Sequence, residues 1–256
     1  MPLFPPPEVL SHLTEQFPGL AILHFDRVDS TNLRLKEGAR KGDFQSPALM
    51  IADYQSAGRG RLGRAFISPP GTGLYMSLLL RPEGPWQPGQ ITMLAALCVC
   101  RAIEEMTHLQ PGIKWVNDLF LRGKKICGIL AEGLSDQVIV GVGVNLRTPP
   151  GGFPAEAGPA GALDAAVDRL ALAGKIAEYL LAGMRNLSDP AILQGYRQRM
   201  FLTGKSIQFL QNGIQKNALV TGVDDWGGLM IRTEEGDQVL RAGEVSLGSA
   251  SFSALE

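Results

Sequence analysis

Three cysteines and three histidines are all that 256 residues offer a soft or borderline metal. Cys98, Cys100 and Cys127 form no Cys-x-x-Cys pair and are odd in number. A disulfide framework or a zinc site is thereby disfavoured, and a reducing compartment is expected. His12, His24 and His108 are scattered without ligand spacing. Charge of one sign is also missing, with 24 Lys and Arg against 25 Asp and Glu and a net charge of −1. No electrostatic footprint for nucleic acid or an anionic membrane follows. The longest apolar run, near Ile91–Cys100, is too short for a bilayer and stops at Arg101. The opening MPLFPPP has neither a basic start nor a long apolar stretch, so no signal peptide is visible. A soluble cytoplasmic protein is the plain expectation. Aromatic residues are sparse near the C-terminus, where Phe209, Trp226 and Phe252 are thin material for a peptide-binding groove.

What is present is a folding composition, 45% hydrophobic and 19% charged, with 31 glycines. Residues 20–27 suit a strand, and Asp29-Ser-Thr-Asn32 suits a helix start, because such side chains accept from free amide groups. The helix should run to about Lys41, where Gly42 ends it. Strands are expected at Ala48–Ala52 and Leu74–Leu80, with a helix at Ile91–Met106. Ile113–Trp115, Leu119–Leu121, Ile126–Glu132 and Val138–Val144 read as a mostly antiparallel meander. Beyond the Pro/Gly-rich connection at 147–163, Leu163–Arg185 and Pro190–Phe201 read as helices. From about Gly204 short alternating runs are separated by turn signals, which predicts a small antiparallel barrel of about five strands. The expected division is 1–203 and 204–256.

Residues 56–73 hold five glycines, two adjacent prolines and three arginines, which excludes regular structure and points to a functional loop. Gly58-Arg-Gly-Arg-Leu-Gly63 matches G-x-G-x-x-G, but Pro69, Pro70, Gly71 and Gly73 leave no room for the crossover helix of a dinucleotide fold. No kinase motifs follow it. Gly204-Lys-Ser206 mimics the end of a phosphate loop, but Arg199 stands where the first glycine is needed. Arg59, Arg61 and Arg64 on one loop suit bidentate capture of carboxylate or phosphate; a solvated basic loop is the alternative. Asp29–Asn32 alone fits a helix cap, Lys114-Trp-Val-Asn-Asp118 alone fits a turn, and the lysines at 124–125 alone fit a guarded strand edge.

In this order the segments are specific. DSTN at 29–32, QSAGRGRLGR at 55–64, SPPGTGLYMSLLLRP at 68–82, KWVND at 114–118, GKKICGIL at 123–130 and GVGVN at 141–145 together resemble the biotin–protein ligase family. Val116, Phe66 and Leu62 stand where that family often has proline, tryptophan and arginine. The resemblance implies an α+β fold, with a mixed, mostly antiparallel sheet flanked by helices in a class II synthetase-like arrangement and a small C-terminal SH3-like barrel. It also implies ATP-dependent activation of biotin as biotinyl-5′-adenylate, with Mg²⁺ arriving on ATP rather than in a side-chain cluster. Transfer to a lysine of a biotin carboxyl carrier domain would follow. A DNA-binding module is not expected, since the stretch ahead of the first strand is too short for one. A homodimer through sheet edges is common in such proteins.

By the same resemblance Ser30, Thr31, Asn32, Gln55 and Gly58 would hold biotin, with Gly128, Gly141 and Gly143 letting backbone approach its ring. Arg59, Arg61 and Lys125 would meet its carboxylate. Arg61, Arg64, Phe66, Lys114, Asn117 and Asn145 would serve the nucleotide. Arg59, Arg61, Arg64 and Lys125 would offset the charge of the reacting groups, and Asp118 would take the proton from the acceptor lysine. Trp115 is expected to pack in the core. Two rivals stand beside this reading. One is a lipoate or octanoate ligase or transferase, whose cysteine form would need a reactive thiol; Cys127, expected mid-strand and buried, is a poor one. The other is a biotin-sensing protein without turnover.

Overall fold

A computed structural model describes residues 8–247. Its elements follow the apolar patterning of the chain. Strand β1 (Ala21–Val28) leads into helix α2 (Thr31–Lys41), preceded in the chain by a short α1 (Ser11–Gln16). Ser30 caps α2 by accepting from Leu33 N, and Gly42 ends it in the left-handed region. Strands β2 (Ala48–Gln55) and β3 (Gly73–Leu80) come next, then helix α3 (Pro88–Thr107). The meander comprises β4 (Gly112–Lys114), β5 (Asp118–Leu121), β6 (Lys124–Leu134) and β7 (Gln137–Asn145). Helices α4 (Arg169–Gly183) and α5 (Pro190–Arg199) lead to five short strands, β8 (Ser206–Gln211), β9 (Ile214–Val223), β10 (Leu229–Thr233), β11 (Gly236–Leu240) and β12 (Val245–Leu247).

The larger sheet has seven strands in the order β1-β2-β3-β7-β6-β5-β4. The β1–β2 pair is parallel and the others are antiparallel. Alternation along the strands separates two faces. On one side Leu74, Met76, Leu78, Val140, Val142 and Val144 belong to the large core with α3 and α4. On the other Leu23, Met50, Leu79 and Ile139 pack with Leu35 of α2. This second face continues along β3, β7 and β6, where register sets Ser77 beside Gly141 and Leu130, and Tyr75 beside Gly143 and Gly128. A glycine-rich strip beside the start of α2 is therefore built by period-2 geometry.

Four expectations need correction. β2 runs on to Gln55 rather than ending at Ala52, which carries Gln55 to the start of α2. The helix expected from Leu163 begins only at Arg169, because Asp168 caps it and residues 163–164 bond back to β7 and its exit through Asn145 O and Leu146 O. α1 was not expected; it is six residues long with no side-chain cap. The C-terminal strands form an open sheet in the order β11-β10-β9-β8-β12, with no pairing between β11 and β12 among the described residues, so a closed barrel is not seen. Phe252 lies outside the described residues. Trp115 packs in the core as expected, and its indole N–H also donates to Gly227 O, 2.9 Å away, tying the meander to the C-terminal sheet. No helix among the described residues is long and apolar enough to cross a membrane.

Candidate active site

The glycine strip, the start of α2, the 58–66 loop and the C-terminal sheet enclose a cleft of about 920 Å³. Ser30, Thr31, Asn32, Gln55, Arg59, Arg61, Arg64, Phe66, Lys114, Asn117, Asp118, Lys125, Gly128, Gly141, Gly143 and Asn145 all line it. Of the residues singled out from sequence only Gly58 does not. A side chain there would run into Phe66 O, so its role is to let the loop fold on itself.

The loop is more ordered than its composition suggests. Gly58 O accepts from Phe66 N at 2.9 Å and Gly60 N donates to Arg64 O at 2.8 Å, making a hairpin tip. A short 3₁₀ turn over Arg61–Gly63 closes the tip, with Leu62 and Gly63 at positive φ. The tip is held from two sides. Arg61 donates to Asn117 Oδ1 at 2.8 Å and to Gly243 O at 3.1 Å, while Arg64 pairs with Glu244 at 2.6 Å. Asn117 in turn donates to Ile129 O, so its carbonyl oxygen is the one that faces Arg61.

One end of the cleft is polar and buried. Ser30, Thr31, Asn32 and Ser77 are each at most 4% exposed. Gln55 Oε1 accepts from Thr31 N at 2.9 Å and from its hydroxyl at 3.1 Å. Gln55 Nε2 donates to Ser68, which donates to Phe66 O and so links this end to the loop. Asn32 Nδ2 donates to Leu130 O and to Glu132, which also pairs with Lys36 at 2.7 Å. Burial alone would raise the Glu132 carboxyl. Hydrogen bonds from Lys36 and Asn32, with the charges of Lys36 and Arg59, outweigh that and hold it below the ordinary carboxylate range.

The other end is charged. Asp118 Oδ1 lies 2.8 Å from Lys125 Nζ. This is close enough for an ion pair but not aligned as a hydrogen bond, and the buried oxygen has no hydrogen-bond partner among the described residues. Burial pushes the Lys114 ammonium below its usual range, opposed by Asp118 and Glu244 and aided by Lys125 and Arg64. Lys125 is fixed by its own backbone. Its N–H donates to Pro159 O and its carbonyl accepts from Gly161 N, so the 158–161 segment lies as a strap across the start of β6. Asn145 anchors that strap by donating to Gly161 O at 2.9 Å.

Two of the cleft glycines also make room for the protein's own side chains. A side chain on Gly141 would collide with Asn32 Oδ1, and a Cβ on Gly143 would sit 2.5 Å from the Phe66 ring. The space these glycines leave is used first by the protein's own Asn32 and Phe66. Phe66 meets Tyr75 edge-on, with centroids 6.4 Å apart. Cys127 is buried, and burial pushes its thiol well above the ordinary value, so it is no nucleophile. Ser77, Glu132, the strap and the return of Gly243–Glu244 to the loop were not expected. Only Ser77 carried a signal, as the one small polar side chain in the otherwise apolar and aromatic run GLYMSLLL.

These residues belong to a recognised pattern. The model of the Biotin/lipoate A/B protein ligase family matches residues 24–145. The chain is 33% identical to the bifunctional ligase/repressor BirA of Bacillus subtilis, over 94% of this chain and 78% of that protein. It is 32% identical to the biotin–[acetyl-CoA-carboxylase] ligase of Paracoccus denitrificans, over 87% of this chain and 98% of that one. Among solved structures, the biotin protein ligase of Aquifex aeolicus in complex with biotin and ATP superposes with a TM-score of 0.75 at 32% identity, covering 89% of this chain and 98% of that one.

Proposed function

Since the chain belongs to the biotin/lipoate A/B protein ligase family, within its biotin–protein ligases, we propose that it activates biotin with ATP as biotinyl-5′-adenylate and transfers the biotinyl group to a lysine of a biotin carboxyl carrier domain. The observation that carries this is the cleft itself. A buried polar end suited to a small ring system lies across from an arginine loop and a lysine–carboxylate pair 2.8 Å apart.

In the first step the biotin carboxylate attacks the α-phosphorus of ATP, the bond to the β-phosphate oxygen breaks, and pyrophosphate leaves. Carboxylate and triphosphate repel, so cations must hold them together. Arg59, Arg61, Arg64 and Lys125 line the cleft where they can do so. Each charge-assisted hydrogen bond contributes roughly 1.5–3 kcal/mol. Lys114, Phe66, Asn117 and Asn145 would border the nucleotide. Mg²⁺ would enter as the counterion of the triphosphate; among the described residues no group of three His, Cys, Asp or Glu side chains is placed to hold it. In the second step the acceptor amine attacks the acyl carbon, and AMP leaves. Asp118, which lines the cleft beside Lys125, would take the amine proton.

Residues 1–203 would form the catalytic unit, with 204–256 a second unit that reaches it through Gly243 and Glu244. The same reading places the reaction in the cytoplasm, consistent with three buried free thiols. A cysteine-dependent acyl transferase is disfavoured by the state of Cys127.

The test is exchange of labelled pyrophosphate into ATP by the purified protein, with biotin, lipoate and octanoate run in parallel. Exchange with biotin alone is expected. Exchange with lipoate or octanoate instead would move the substrate, and biotin binding without exchange would favour a sensor.

A further inference from the structure

The arginine loop is held by groups that reach it from two parts of the chain, and one short segment stands behind both. Asn117 accepts from Arg61, while Gly243 O and Glu244 hold Arg61 and Arg64. Two residues before Asn117, Trp115 is 4% exposed and donates its indole N–H to Gly227 O at 2.9 Å. Gly227 belongs to the tight turn between β9 and β10. Asp224 closes that turn, accepting from Trp226 N at 3.0 Å and from Gly228 N at 2.7 Å. Its other carboxylate oxygen meets Arg241 at 2.5 Å. Arg241 stands just ahead of Gly243 and Glu244 in the chain. The turn also rests on the first turn of α3, where a side chain on Gly89 would run into Trp226 O and the Gly227 backbone. A continuous run from Trp115 through the 224–228 turn to Arg241 thus ends on the two groups that hold the loop. Trp115 borders the cleft, but its only side-chain donor is taken up by Gly227 O. Packing in the core asks only for a large ring. The bond to Gly227 asks for an indole.

We propose that Trp115 is a positioning residue for the arginine loop: by gripping the 224–228 turn it sets, through Asp224 and Arg241, the place of Gly243 and Glu244, and so keeps Arg61 and Arg64 over the cleft. The 115–117 segment governs the loop twice, directly through Asn117 and at a distance through Trp115. A buried carbonyl that loses its donor is costly, so removal of the N–H should loosen the turn. The proposal rests on the biotin-ligase reading above for what the loop retains, an acyl-adenylate, but not for how the loop is held.

The experiment compares the parent with Trp115→Phe, which keeps an aromatic ring in the core and removes the N–H. Hydrogen exchange on the unliganded proteins follows the loop amides of Gly60 and Phe66, which donate to Arg64 O and Gly58 O. They should exchange about tenfold faster in the variant, the loss of one buried hydrogen bond. Labelled adenylate, formed from biotin and ATP, should escape about tenfold faster as well. Escape is read on folded protein, so a loss of stability alone leaves it unmoved. In an Arg61→Gly background the same substitution should add less than about twofold, since both act on one hold. Gly89→Ala is the second variant, and it serves alone if Trp115→Phe does not fold. It displaces the same turn, and Gly89 does not border the cleft; loop exchange and adenylate escape should quicken together there too. Unchanged loop exchange in these variants would overturn the positioning role. Faster escape in Trp115→Phe with none in Gly89→Ala would do the same, by marking the indole as a ligand contact, and so would full additivity with Arg61→Gly. If the parent forms no adenylate, the functional reading fails, and loop exchange alone then decides the positioning role.

Discussion

Asp118→Asn should separate the two half-reactions. The Asp118 and Lys125 side chains are 24% and 32% exposed and 2.8 Å apart, so water partly screens the pair. Asparagine keeps the shape and removes the counter-charge. A partly exposed pair is worth about 1 kcal/mol, so adenylate formation should slow by no more than about fivefold. Transfer is different. The acceptor lysine arrives as an ammonium, with only about one part in 2,500 neutral at pH 7. A positioned base contributes roughly 10²- to 10⁴-fold, or about 3–5 kcal/mol. The substituted amide could not take the proton, so transfer should fall at least about 100-fold. Transfer by the variant should also recover about tenfold per pH unit below the lysine pKa, as free amine becomes available. The assay follows pyrophosphate exchange in one experiment and the chase of preformed adenylate onto a carrier domain in another. Equal losses in both, or undiminished transfer, would refute the role of Asp118 as base.

Three further predictions address other parts of the site. Arg61→Gly removes the bonds that pin the loop to Asn117 and Gly243; adenylate should then escape, seen as faster loss of labelled adenylate on gel filtration, and equal retention would contradict this. Gly141→Ala places a methyl group against Asn32 Oδ1; overpacking should cost about 1–3 kcal/mol in urea unfolding and weaken biotin binding, whereas a silent substitution would show that Asn32 can move aside. Burial lowers the Lys114 pKa from 10.5. The folded state therefore binds fewer protons than the unfolded one at pH values between the folded value and 10.5, and stability should rise with pH across that window. Lys114→Met should abolish that rise in urea titrations, and a parallel slope in both proteins would count against it.

Much of this was legible in the sequence because the signals were local. Asp29–Asn32 fixes a helix start through cap chemistry, and Gly42 fixes its end through a conformation that other residues adopt only with strain. The meander of β4 to β7 followed from alternation and short turns. The arginine loop stood out because its glycines and prolines exclude helix and strand. What stayed hidden depends on partners distant in sequence. Ser77 matters only because register sets it beside Gly141 and under α2. The strap at 158–161 reads as a Pro/Gly connection until its bonds to Lys125 are seen. Glu244 looks like any surface acid, yet it meets Arg64 across 180 residues. Closure of the small C-terminal sheet is likewise not local. Alternating runs and turns predict strands, but whether the outer two meet is a tertiary matter, and among the described residues β11 and β12 do not pair. At Gly141 and Gly143 the sequence tells that space is needed; that Asn32 and Phe66 occupy part of it is a tertiary fact.

The most direct measurement is transfer of radiolabelled biotin to a purified biotin carboxyl carrier domain in the presence of ATP, with the carrier's acceptor lysine changed to arginine as control. Label on the intact carrier, absent without ATP and absent from the control, is expected from a cleft that runs both steps. No label despite formation of adenylate would contradict the second step, and label without ATP would contradict the first.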